Sequence, residues 1–260
     1  MDDRKEFVGL SAKVLEGHSF YEIIDDAYRF FRYQKPTDTG VCKSCCMYPR
    51  IERDFFNPKI SELPLKYIQD WYFAAVDLEG LPKGIWGYLL PRILEVLAAE
   101  EEPSNIGIEV ALKRFDTGNP ENWNRNEWDV LERFRHAYIE RELSRDVPAE
   151  NEHFEYCLDD VLCMFGIAGW DLDDLIGQLR NAPDDKLVNR IWIDWCRNDL
   201  SWGSIWTSVF WEGNQEQRMR EFYTSQEMKE RIDRIFFTSS DAIVQKRASD
   251  VAYVIHHSKT

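Results

Sequence analysis

Cys42, Cys45 and Cys46 (CKSCC) come nearest to a chemical motif in this chain. Two thiolates three residues apart can share one tetrahedral zinc, but a closed structural site needs four ligands. No second Cys-x-x-Cys or His-x-x-x-His pair follows, so the missing ligand would have to come from a remote Cys157, Cys163, Cys196 or a histidine. The same thiols also fit a redox-responsive cluster, or small hydrophobes packed in a core. Other candidate groups are less complete. His136 and Glu140 lie four apart on one helix face, a spacing that surface ion pairs commonly use. The pairs Asp25–Asp26 and Asp173–Asp174 resemble those of helical magnesium enzymes, yet neither completes an Asp-Asp-x-x-Asp spacing. A helical metal-dependent hydrolase stays open on that ground. There is no His-Glu-x-x-His, glycine-rich phosphate loop or Gly-x-Ser-x-Gly.

Charge is the stronger signal. The 260 residues carry a formal net charge of −15, with 44% hydrophobic and 14% aromatic content. That composition excludes wholesale disorder, and the acidity argues against direct nucleic-acid binding, which needs a basic patch. Residues 146–200 hold thirteen acids against four bases, whereas the last sixty residues balance eight against eight. Within the acidic stretch, Asp171, Asp173 and Asp174 form one cluster, and Asp184 and Asp185 another. Both fall at predicted helix starts, where acids cap free amides and complement the macrodipole. A capping carboxylate still belongs to the surface, so the two clusters also define a negative face that would draw in a basic partner. Ten tryptophans accompany this charge, five of them between Trp192 and Trp211. Most should be core, with Trp170, Trp202 and Trp206 as the candidate anchors for a partner.

The elements that must position these groups read as helices. Phe20, Ile23, Ile24, Ala27, Phe30 and Phe31 follow helical spacing over residues 20–33. Residues 34–60, rich in proline and holding the three cysteines, read as an irregular segment. Periodic runs follow at 65–76 and 85–99, the second with Pro91 as a kink or restart. Further helices are expected near 106–115, 127–143, 152–166, 171–180, 184–197, 214–222, 225–237 and 240–256. Strand-like alternation is nearly absent. The predicted architecture is all-α: stacked antiparallel helices and helical hairpins, HEAT-like stacking being one form of it, in a single domain 1–260 or two halves, 1–147 and 148–260. The first twenty residues lack an apolar run of signal-peptide length, and no stretch approaches the roughly 18 apolar residues of a membrane span. A cytoplasmic location with reduced cysteines is therefore expected.

CKSCC, PLKYIQDWYFAA, LLPRILEVLA, NEWDVLERFRHAY and FGIAGWDLDDLIGQL together resemble a largely uncharacterised family of bacterial all-helical proteins, over most of residues 20–200. That family has a Cys-x-Cys-Cys-type segment, and the CKSCC spacing here departs from it. In general style the chain is also similar to immunity proteins encoded beside toxin effectors. The expectation is an immunity protein that occludes the active cleft of a cognate toxin effector, such as a nuclease, with its acidic surface and no cofactor. Zinc or redox chemistry at CKSCC is the alternative.

Overall fold

The computed structural model describes residues 12–42, 47–76, 80–146, 156–197 and 203–258. Among them the fold is all-α; the one strand-like feature is an isolated antiparallel bridge between Val41 and Val76. None of the helices is long and apolar enough to cross a membrane. The chain divides into two compact units, Met1–Ala137 and Tyr138–Thr260. The division falls inside a helix, upstream of the 147/148 position expected from sequence.

The first unit contains α1 (Tyr21–Phe30), α2 (Pro49–Asp54), α3 (Leu65–Phe73) and α4 (Lys83–Ala98), with short 3-10 turns at Ile60–Glu62, Ile108–Leu112 and Pro120–Asn122. Helix α5 (Arg125–Leu143) begins here and runs into the second unit. Asn124 starts α5: its Oδ1 accepts from the Asn126 and Glu127 amides, and Glu127 Oε2 accepts from the Asn124 amide at 2.9 Å. This reciprocal box satisfies amides that the helix itself leaves open.

Helix α4 is the axis of this unit, buried at every position from Leu89 to Ala98. A helix apolar on all sides belongs in a core, yet α4 carries Arg92 and Glu95 there. Both are held. Arg92 Nη1 meets Glu95 Oε2 at 2.6 Å, and its Nε donates to the Leu63 carbonyl at 3.0 Å. Glu95 further accepts from Tyr28 Oη at 2.7 Å, Lys13 Nζ and the Val14 amide. One ion pair thus fastens residues 12–14, α1 and the lead-in to α3 onto α4. Pro91 neither breaks nor restarts the helix, which continues through it. Gly87, four residues earlier, lies against the Tyr33 ring, where a Cβ would collide.

Two expectations change in this unit. The stretch 106–115 is a 3-10 segment between turns rather than an α-helix, and the segment read as irregular from 34 to 60 contains α2.

The second unit contains α6 (Leu158–Gly166), α7 (Leu172–Asn181), α8 (Asp184–Trp192), α9 (Gln215–Tyr223), α10 (Gln226–Thr238) and α11 (Ala242–His257). The helix expected over 184–197 keeps α geometry only to Trp192 and then widens into one π turn, Ile193–Arg197. Ser225 and Asp241 cap α10 and α11 with their side chains. The brief link between these two helices makes them a helical hairpin. Helix α6 is buried along its whole length and is this unit's central element.

Removing one member of a buried pair leaves the other charge uncompensated, at a cost of about 3–5 kcal/mol. Glu95→Ala is therefore expected to destabilise the first unit by that order, seen as a lower urea midpoint; a change within about 0.5 kcal/mol would mean that Arg92 finds its partners elsewhere.

Candidate functional site

A second buried polar cluster sits on α6 and the π turn. Asp159 and Asp160 are the only charged residues in LDDVLCMFG, and burial encloses both. Asp159 Oδ2 accepts from the Ser208 amide at 2.6 Å and from Trp211 Nε1 at 2.7 Å, and its Oδ1 accepts from Tyr223 Oη at 2.9 Å. Asp160 closes the start of α6 by accepting from the Cys157 amide at 2.8 Å, and it also accepts from Trp206 Nε1 at 3.3 Å. Asp194, on the π turn, accepts from the Leu158 amide at 2.8 Å and faces Arg190 Nη1 at 3.5 Å.

Residues 203–211 have no helix of their own, so their amides and indoles need partners from elsewhere. The α6 carboxylates supply them. Gly166 makes the packing possible, because a Cβ there would enter the Trp211 ring. Tyr223 comes from α9, and its ring meets that of Trp195 edge-on at 5.1 Å.

Electrostatically the cluster is poised. Burial pushes the Asp159 carboxyl up from 3.8 to about 7, against the pull of its three donors, with Asp160 adding to the rise. Burial likewise takes Asp194 to about 6, opposed by Arg190 and the Leu158 amide. All three aspartates are buried; through Asp159 and Asp160, α6 holds residues 206–211 and Tyr223, and through Asp194 the π turn holds the Leu158 amide.

The residues expected to meet a partner are distributed differently from the sequence reading. Asp171 is exposed and caps α7, accepting from the Asp173 amide at 2.6 Å. Asp173 is exposed but paired with Arg218 at 2.6 Å. Asp184 is half-buried and bound by Arg231 at 2.7 Å and Arg234 at 3.5 Å. Asp174 and Asp185 are exposed, and no ion pair to either occurs among the described residues. The two clusters do not form one patch. One starts α7 and the other follows its end, so the length of that ten-residue helix, about 15 Å, separates them.

The aromatic anchors are corrected too. Trp170 is core, packed edge-on against Phe165 at 5.2 Å. Trp206 is half-buried and spends its N–H on Asp160. Trp202 lies outside the described residues.

The cysteine segment is described only at Cys42, whose amide donates to the Ala75 carbonyl at 2.8 Å; Cys45 and Cys46 lie outside the described residues. Cys157 and Cys163, once considered as remote ligands, are buried on or beside α6. Burial, then Asp250, pushes the Cys196 thiol up to about 12. Among the described residues no group of three His, Cys, Asp or Glu side chains has the arrangement of a metal site. Of the aspartate pair at α1, Asp26 is engaged by Arg29 and by Arg133 at 2.6 Å. Glu140 is taken by Lys186 at 2.6 Å.

Comparison of the chain with protein-family models, curated proteins and solved structures finds no match to any of them.

Sequence reasoning passed over Asp159, Asp160 and Asp194 by counting them as surface charge. The available signal was their context, two adjacent acids inside an otherwise apolar nonamer. Because Asp159 and Asp194 bind protons more tightly folded than unfolded, they favour the fold fully below about 4, and that contribution is lost as the pH rises through about 6 for Asp194 and about 7 for Asp159. Carboxyl-carbon NMR should give midpoints near 7 for Asp159 and near 6 for Asp194. Tyr223→Phe, which removes a donor to the ionised form, should raise the first further; a midpoint near 4 would show that the donors outweigh burial. Gly166→Ala should cost about 1–3 kcal/mol by overpacking Trp211, with a change in tryptophan emission as the local readout.

Proposed function

We propose that this chain is a binding protein that docks a basic partner, an immunity factor occluding the cleft of a toxin effector. Its supports are the net charge of −15 and the placement of carboxylates at helix starts. The observation that carries the reading is that Asp171 and Asp174 at one end of α7, and Asp185 beyond the other, are exposed carboxylates free of ion pairs among the described residues. Ionised groups left in solvent act at a distance and speed encounter with a positive cleft. Asp173 and Asp184, already bonded to arginines, contribute less to such a field.

The anchor shifts from tryptophan to Phe237. Helix α10 brings Arg231 and Arg234 onto Asp184, and one turn beyond Arg234 on the same face Phe237 stands 77% exposed. An exposed ring beside charged groups is the kind of residue that supplies desolvated contact in an interface. Docking in this reading is led by charge at Asp185 and consolidated at Phe237, with Asp171 and Asp174 steering from the other end of α7.

The test uses a toxin domain encoded beside this chain's gene. Co-expression should relieve the growth arrest that the toxin alone produces, and association should slow as salt rises. The triple variant Asp171→Lys, Asp174→Lys, Asp185→Lys should slow association about tenfold or more at low salt, and Phe237→Ala should speed dissociation. Unchanged kinetics in the triple variant would overturn this surface as the docking site.

A further inference from the structure

The first unit holds a cavity of about 310 Å³ whose walls include Tyr72, Val76, Ile106, Val110, Lys113 and Arg114. Among the described residues that line it, the polar side chains are a phenol and two cations. Arg114 is unusual. Its guanidinium carbon lies 4.6 Å from the ring centre of Trp71 and 5.1 Å from that of Tyr72. Its Nη2 donates to the Ala74 carbonyl at 2.8 Å and to the Tyr72 carbonyl. These carbonyls end α3, so the side chain caps that helix and is fixed in place. A helix end offers only about half a negative charge. No carboxylate pairs with Arg114 among the described residues, and its Nη1 is buried without a hydrogen-bond partner.

A buried guanidinium nitrogen without an acceptor is costly, and a cation held beside two rings and by two carbonyls is fixed in place before an anion arrives. The remaining walls decide what that anion carries. Val76, Ile106 and Val110 are aliphatic, so a hydrated inorganic ion would gain nothing from them, whereas a hydrocarbon body would. The volume stands at the small end for ligand sites, matching a short acid rather than a long acyl chain.

We propose that this cavity binds a small organic monocarboxylate with an apolar body, its carboxylate drawn to the Arg114 guanidinium in the cavity wall and its hydrocarbon part lying on Val76, Ile106 and Val110. Lys113 stands exposed at the rim. The site lies in the unit Met1–Ala137 and does not depend on the docking surface proposed for the other unit.

Hexanoate is the test ligand, titrated calorimetrically into the full chain, with hexanamide as the uncharged control. Hexanoate should bind at concentrations up to about 10 mM, as expected for so few atoms, and hexanamide about tenfold or more weaker, since it lacks the charge-assisted pairing. Arg114→Met should abolish the preference for the acid. Because that change also removes a helix cap, Val110→Phe is the second variant: it fills the cavity, leaves Arg114 in place, and should abolish binding of both compounds. Equal binding of hexanoate and hexanamide, no binding of hexanoate, or undiminished binding in Val110→Phe would each overturn the proposal.

Discussion

A charged group inside a helix that is buried all round must find its partners within the protein, and both units are organised by that demand. In the first, Arg92 and Glu95 gather the residues before α1, the Tyr28 hydroxyl and the entry to α3. In the second, Asp159 and Asp160 gather the non-helical stretch 203–211 and the end of α9. Helices satisfy their own backbones; loops do not. A carboxylate, with several lone pairs and no donors when ionised, suits the task of collecting amides, indoles and hydroxyls. The cost of burying charge is thus offset by order imposed on segments that have no ladder of their own. At Asp159 the balance is close, since burial drives the carboxyl toward neutrality while three donors oppose it.

This use of acids changes what a charge count means. The excess in residues 146–200 looks from sequence like one negative surface. In the structure Asp159, Asp160 and Asp194 are interior, Asp173 and Asp184 are bound by arginines from α9 and α10, and the exposed remainder is divided between the two ends of α7. The neighbouring stretch that looked neutral, with eight acids and eight bases, supplies those arginines. Its neutrality is local bookkeeping only, because Arg218, Arg231 and Arg234 discharge acids tens of residues away.

Much of the fold was legible because helical spacing is a local property. The apolar stripes of α1, α3, α5 and the hairpin α10–α11 place those helices within a few residues of their observed bounds. The segment 106–115 carries apolar residues at helical spacing but forms a 3-10 piece, since tertiary packing overrides a short periodic run. The second unit's π turn was illegible for the same reason. It aims Asp194 at the Leu158 amide, a partner 36 residues away that no window of sequence reveals. Site residues were less legible than elements. Helix-start acids were identifiable by type, but which remained unpaired depended on arginines from distant helices.

The tryptophans make the same point about polar handles. An indole offers a large apolar surface and one donor, so its role turns on where the donor goes. Trp71 donates to the Thr39 carbonyl, Trp86 to the Thr117 hydroxyl, Trp123 to the Thr117 carbonyl, and Trp192 to Asp250. Trp206 and Trp211 donate to the α6 aspartates. These indoles are internal ties, each joining an element to a loop or a second element. An indole committed in this way cannot turn outward without leaving its acceptor unmet. A ring that serves a partner must come from residues without such a commitment, and phenylalanine has none. The exposed Phe237 can therefore be given to an interface without drawing anything out of the core.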